Sequence, residues 1–259
     1  MAIHRVSVVN TELSCDIRGA GKCLVFMHGN AETRQIWRPQ IEFFARRCRV
    51  VAPDMRGHGD SEKPTGAYPI STFVGDLARL LDALDIDCAV IAGHSMGGRV
   101  AMSFALEHSK RVLGLVLAGT SAMPFDRASE QIERVRTLGL EPELREFIEF
   151  ESSPETPATM KRELLREALK TPEHVRIELW KAVSECDVST RLGEIRAPTL
   201  VIVGDLDRGT PVAAARQLHE SIPGSQLAII RDVAHFTMLE RPDLVNQHIN
   251  ALLDRVFRD

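Results

Sequence analysis

Residues 89–107 read AVIAGHSMGGRVAMSFALE, and Gly93-His94-Ser95-Met96-Gly97 at their centre is a G-x-S-x-G. Two kinds of patterning meet there. The run 89–93 is short and apolar, as expected of a strand covered on both faces, and Met96–Glu107 has the spacing of a helix. The pentapeptide therefore has to make a tight strand-to-helix turn with Ser95 at its apex. Gly93 and Gly97 flank the serine because side chains there would collide across so sharp a bend. A helix that starts just after the serine leaves backbone N–H groups free to face a developing oxyanion. The competing reading is a glycine-rich loop with an incidental serine; the strand before it and the helix after it favour the chemical one.

Working outward, the same alternation recurs. Short strands are expected at 5–9 and 12–17 around a turn at Asn10-Thr11, then at Cys23–Met27 after the turn Gly19-Ala20-Gly21-Lys22, and at 50–52. Helices are expected at 33–45, with Ile36, Trp37, Ile41 and Phe44 on one side, and at 71–84, where Val74, Leu77, Leu80, Leu81 and Leu84 recur at helical spacing. Val112–Ala118 reads as another buried strand, 199–203 and Gln226–Ile230 as two more, and Val212–Ser221 and Pro242–Val256 as helices. Buried strands alternating with amphipathic helices imply a mostly parallel sheet covered on both faces. Between about 123 and 190 the pattern is helical throughout (129–138, 143–150, 161–169 and 173–186), punctuated by Pro124, Pro142, Pro154, Pro157 and Pro172. A block that long is not a plain loop. The expected division is an α/β core at 1–121 and 191–259 with a helical cap at 122–190.

A serine hydroxyl is a weak nucleophile and needs a general base. Of nine histidines, His235 lies in Asp232-Val233-Ala234-His235-Phe236, after the last strand and before the final helix, on the sheet edge where such sites gather. His108, His174, His219 and His248 fall within or beside helices, His4 is near the terminus, and His94 is turned away from the serine by the bend. The acid that orients the base is expected after strand 199–203, in Gly204-Asp205-Leu206-Asp207-Arg208-Gly209-Thr210-Pro211. Asp207 is the preferred residue and Asp205 the competitor, read as capping a turn. The order Ser95, Asp207, His235 is that of a nucleophile-elbow hydrolase. His28-Gly29-Asn30-Ala31, after strand Cys23–Met27, is the expected second half of the oxyanion hole, with the N–H groups of Asn30 and Met96 as donors. His28, Gly29, Phe125, Trp180 and Phe236 are the expected substrate contacts; Trp37, Phe147 and Phe150 read as ordinary packing.

Together these residues resemble the α/β-hydrolase fold family over nearly the whole chain. His28-Gly29 resembles its oxyanion loop, Gly93–Gly97 its nucleophile elbow, and Asp54-Met55-Arg56-Gly57-His58-Gly59-Asp60-Ser61 its D-x-R-G-x-G-x-S segment. Ala234 departs from the glycine common in that family before the histidine. The resemblance implies a mostly parallel eight-stranded sheet flanked by helices, with the helical block as an inserted cap. It also implies acyl chemistry. Haloalkane dehalogenases and epoxide hydrolases of this fold use an aspartate nucleophile where this chain has Ser95. Carboxylesterases, 3-oxoadipate enol-lactonases and carbon–carbon bond hydrolases of aromatic degradation remain, and hydrolysis of a small ester or lactone without cofactor or metal is the preferred expectation. The alternatives are cleavage of a carbon–carbon bond in a vinylogous diketone, and a non-catalytic ligand-binding or signalling role.

Composition removes other classes. A net charge of −4 leaves no basic footprint for nucleic acid. No apolar run approaches a membrane span, and the N-terminus carries no signal-peptide pattern. The five cysteines include no C-x-x-C pair and read as free thiols, so a cytoplasmic protein is expected. Gly19-Ala20-Gly21-Lys22 lacks the spacing of a phosphate loop and leads into a strand. Arg56-Gly57-His58-Gly59 has no second ligand on its element and reads as structural. Aromatic residues are 5% of the chain, with Tyr68 the single tyrosine, which gives little support for a stacking pocket.

Overall fold

The strands that read as unbroken apolar runs lie in the middle of one sheet. The computed structural model describes residues 3–257. The chain begins β1 (Ile3–Val8), β2 (Thr11–Arg18), β3 (Cys23–Met27), α1 (Arg38–Phe44), β4 (Arg49–Pro53), α2 (Ile70–Ala83) and β5 (Ala89–His94). It continues with α3 (Met96–Glu107) and β6 (Val112–Ala118), then four helices in succession: α4 (Ala128–Leu138), α5 (Leu140–Glu151), α6 (Ala158–Ala168) and α7 (Glu173–Glu185). It closes with β7 (Thr199–Gly204), α8 (Val212–Ser221), β8 (Gln226–Ile230), α9 (Thr237–Glu240) and α10 (Pro242–Val256). The sheet has eight strands in the order β1-β2-β4-β3-β5-β6-β7-β8. The β1–β2 and β2–β4 pairs are antiparallel, and every pair from β4 to β8 is parallel.

Alternate residues of the central strands feed two cores, as the two-residue period of a strand requires. Val25, Ile91, Leu115, Leu117 and Val201 face α2, α3 and α8. Leu24, Phe26, Val90, Val116 and Ile202 face α1 and α10. With both faces covered there is no polar alternation to read, hence the continuous apolar runs. The expected helix over 33–45 is instead a 3₁₀ turn at Arg34–Trp37 followed by α1, with Pro39 in its first turn. Pro142 lies inside the first turn of α5, where its missing N–H has no intrahelical partner to lose. The four residues of α9 are too few to show a period and were not expected.

The chain changes direction in the sheet at β3, with β4 on one side and β5 on the other. A crevice forms beyond the strand ends at such a switch point. The β3–β5 register sets Met27 opposite Gly93, so the loop after β3 lies beside the turn after β5. Likewise Gly204 pairs with Ile230, setting the loop after β7 beside the loop after β8.

Helices α4–α7 pack mainly on one another, α4 against α7 and α5, and α5 against α6. At their base Val188 N–H donates to the Ala122 carbonyl. The buried Arg99 of α3 donates to the carbonyls of Met123 and Cys186, one at each end of the block. Inside the block Arg176 of α7 is fully buried, pairs with Glu143 of α5 and donates to Asn30 Oδ1 at 2.8 Å. Its guanidinium also lies over the rings of Phe147 and Trp180. A buried ion pair is weak evidence of net stability, but removing one partner strands the other charge. Arg176→Met is therefore expected to lower the unfolding free energy by about 3–5 kcal/mol, and adding Glu143→Leu to recover most of it. Urea denaturation of the two variants checks this.

Candidate active site

Ser95 has φ 51° and ψ −118°, a left-handed conformation rare for a residue with a side chain. Its surroundings hold it there. Ser95 N–H donates to the Ala118 carbonyl at 2.9 Å, and the Ser95 carbonyl accepts from Gly98 N–H and from the Thr120 hydroxyl. A Cβ on Gly93 would run into the Gly97 carbonyl, and one on Gly97 into the carbonyls of Met27 and His28. The turn is therefore closed on both sides by backbone, and Ser95 is left facing the crevice.

His235 follows β8, and its Nδ1 lies 2.8 Å from Asp207 Oδ2. Asp207 also accepts from Thr210 N–H and the Thr210 hydroxyl. Burial alone would raise the Asp207 carboxyl. The His235 charge, the hydrogen bond from its ring and those from Thr210 outweigh burial and hold it below the ordinary carboxylate range. For His235 burial lowers the ring, but the charges of Asp207 and then Glu151 raise it further, so the imidazole is more basic than usual. Asp205 points elsewhere and accepts from the N–H of Asp232, whose φ is 60°. Ala234 is not among the positive-φ residues, so its Cβ meets no backbone penalty; its N–H donates to Glu240 Oε2.

On the other side of Ser95, the loop after β3 is shaped by Glu32. This buried carboxylate accepts from Gly29 N–H at 2.6 Å and faces His94 Nδ1 at 2.9 Å. His94 Nε2 faces the His235 carbonyl at 3.1 Å. The imidazole next to Ser95 thus joins the β3 loop to the His235 loop. His28 is fully buried; its Nε2 accepts from Met55 N–H, its Nδ1 faces the Gly29 carbonyl, and burial pushes its pKa down to about 3. It is a neutral tether between β3 and the segment after β4. In that segment Asp54 takes the Arg34 guanidinium and the N–H groups of Arg34 and Asp60, and Arg56 pairs with Asp76. The D-x-R-G-x-G-x-S stretch is accordingly a brace.

Ser95 and His235 open into one cavity of about 590 Å³ beneath α4, α5 and α7. Asn30, Met96, Phe125 and Trp180 line it. His28, Gly29 and Phe236, expected there, do not: His28 and Gly29 set the loop's shape, and Phe236 is buried in the core against α10, edge-on to the His235 ring. Phe147 and Phe150, expected as packing, do line it. Phe125 stacks on Trp180, and Phe147 meets Trp180 edge-on. Four of the thirteen aromatic residues thus line the cavity, where the low count gave no hint of them. Glu32 and Glu151, which sequence reasoning passed over, both press on the His235 region, and nothing in their local sequence marks them. Two sets of three possible metal ligands occur among the described residues, Glu32–His94–His235 and Glu151–Asp207–His235. In both, ligand atoms already face one another at hydrogen-bond distance.

Comparison with known proteins agrees with this architecture. The family model for the alpha/beta hydrolase fold matches residues 22–169. A 3-oxoadipate enol-lactonase of Acinetobacter baylyi is 30% identical over 241 residues, covering 90% of this chain and 88% of that protein. A 2-hydroxy-6-oxo-2,4-heptadienoate hydrolase of Pseudomonas putida is 29% identical, covering 86% of each. The structure of a thermophilic esterase from Thermogutta terrifontis superposes with a TM-score of 0.91 at 29% identity, over 99% of both chains. The chain belongs to the α/β-hydrolase family, and with it to the hydrolases.

The strain at Ser95 has a measurable consequence. Ser95→Ala and Ser95→Gly both remove the hydroxyl, but only glycine relaxes a positive φ. Ser95→Gly is expected to be more stable than Ser95→Ala by about 1–3 kcal/mol, read as a rise in the urea midpoint at unchanged slope.

Proposed function

We propose that this chain is a serine hydrolase that cleaves carboxylic ester or lactone bonds of a small substrate through an acyl-enzyme. What supports this reading is that Ser95, His235, Asn30 and Met96 all line one cavity. Ser95 Oγ attacks the carbonyl carbon while His235 Nε2 takes its proton. The oxyanion is held by the N–H groups of Asn30 and Met96, the second of which opens α3 and has no carbonyl one turn back. Asp207 holds His235 Nδ1–H, fixing the tautomer and supporting the imidazolium. His235 then protonates the leaving alkoxide, and the C–O bond breaks to leave Ser95 acylated. Water attacks the ester so formed, gives its proton to His235 and releases the acid, and Ser95 regains its proton. Residues 122–190, with helices α4–α7, act as a cap over the cavity, excluding bulk water and limiting substrate size. Phe125 and Trp180 form its substrate-facing wall. The free cysteines suit a reducing compartment such as the cytoplasm.

A second reading draws on the ring cluster. Phe125, Trp180 and Phe147 together offer flat, apolar walls, which suit a conjugated substrate. Carbon–carbon hydrolysis of a vinylogous diketone, the reaction class the sequence left open, would use the same Ser95 and His235.

Activity against p-nitrophenyl esters, lactones and vinylogous diketones separates these readings. Turnover of esters or lactones that disappears in Ser95→Ala is the expected result; equal turnover in wild type and variant would contradict the assignment of Ser95. Asp207→Asn is expected to lower kcat by about 10⁴-fold and Asp205→Asn by less than about 10-fold; the reverse order would reassign the acid. Because His235 works as a neutral base and its pKa is raised, kcat/KM should fall as pH drops, on an acid limb above the ordinary imidazole value of about 6.5.

A further inference from the structure

The acyl-transfer scheme makes no use of Glu151, the last residue of α5, although its side chain lies against the base. Glu151 Oε2 is 3.7 Å from His235 Nδ1, the nitrogen that Asp207 Oδ2 meets at 2.8 Å. The Glu151 side chain is buried, the residue lines the reaction cavity, and Oε2 has no hydrogen-bond partner. An unsatisfied carboxyl oxygen is costly to bury, so something has to hold it in place.

Two sets of contacts do so. The His235 backbone N–H donates to the Glu151 carbonyl at 3.0 Å. Glu240 of α9 bridges the same two segments: Oε1 accepts from Ser153 N–H and the Thr156 hydroxyl, and Oε2 accepts from Ala234 N–H. The end of α5 and the His235 loop are therefore joined at Glu151 itself and again just after it. Space is kept for the carboxyl as well, since a Cβ on Gly209 would stand 2.6 Å from Oε2.

We propose that Glu151 is a positioning residue, a second carboxylate that faces His235 Nδ1 from the α4–α7 block and supports the imidazolium formed during acyl transfer. The proposal rests on the serine-hydrolase reading. At 3.7 Å Glu151 acts by charge, and Asp207 keeps the hydrogen bond that sets the tautomer. The other charged groups acting on Glu151 are Asp207 and Arg208 after β7 and Glu32 after β3. Burial raises the Glu151 carboxyl to about 7; His235 and Arg208 oppose this, and Asp207 and Glu32 add to it. With His235 raised to about 10, Glu151 keeps its charge while the base titrates and loses it only as pH falls further, so its charge bears on the protonation of the imidazole. This charge contact between the helical block and the imidazole also makes the strength of the base depend on how that block is seated.

The test is the pH dependence of kcat/KM for wild type, Glu151→Gln and Glu151→Asp on one p-nitrophenyl ester. An anionic neighbour raises the base, so its removal in Glu151→Gln should move the acid limb down by about one pH unit. The plateau kcat should fall about 10-fold, the factor carried by one unit of imidazole basicity, with KM within about twofold of wild type. Glu151→Asp retains a more distant charge and should fall between the two. If Glu151→Gln does not fold, the limb of Glu151→Asp is read alone, and a downward shift is still expected. An acid limb coincident with wild type in whichever variant is read overturns the proposal, even if thermal stability drops. Ser95→Ala is assayed alongside: retained turnover there would overturn the hydrolase reading itself, a failure distinct from an unmoved limb.

Discussion

The turn between β5 and α3 leaves no volume for a side chain at Gly93 or Gly97, because backbone carbonyls already fill it. That exclusion fixes the direction in which α3 departs and forces Ser95 to φ 51°. Strain of this kind costs about 1–3 kcal/mol. A single oxyanion donor is worth about 3–4 kcal/mol of barrier in hydrolases that have been dissected. The strained turn is thus a modest folding cost, and it sets Ser95 and Met96 on the wall of the same cavity. The neighbouring strands complete the setting: β6 supplies the Ala118 carbonyl to Ser95 N–H, and the β3–β5 register, with Met27 opposite Gly93, sets the loop after β3 beside the turn.

Around that turn the protein buries five ionisable groups. Glu32, His94, His235, Asp207 and Glu151 follow one another in space, three carboxylates around two imidazoles. Each segment of the site contributes one: the loop after β3, the nucleophile turn, the loops after β7 and β8, and the end of α5. The set therefore couples shape to charge. A shift of the β3 loop moves Glu32 and, through His94, the His235 carbonyl. A shift of α5 moves Glu151. Arg176 adds a third link by pairing with Glu143 while holding the side chain of Asn30.

Much of this was legible in the sequence because each member of the Ser95–Asp207–His235 set follows a strand with a clear signal. The parallel order then brings those strand ends together without long-range information. Asp207 and Asp205 are only two residues apart, and the sequence supports a preference between them and no more; the contacts with His235 Nδ1 and with Asp232 N–H are what distinguish them. Glu32, Glu151 and Arg176 were not legible. Glu32 and His94 are 62 residues apart, and Arg176 and Asn30 146 apart, so no local pattern marks either pair. His28 and Phe236 were misplaced for a related reason. A loop position next to the site does not say which way the side chain faces, and both face inward. The aromatic wall was missed because a residue count carries no positions.

Whether Ser95 is an activated nucleophile can be read by covalent labelling. A fluorophosphonate probe transfers its phosphonyl group to such a serine and releases fluoride. Intact-mass and peptide mapping after treatment should show one adduct per chain, on the peptide that contains Ser95, with labelling greatly slowed in His235→Ala. An unlabelled protein, or an adduct on a different residue, would mean that Ser95 is not the nucleophile.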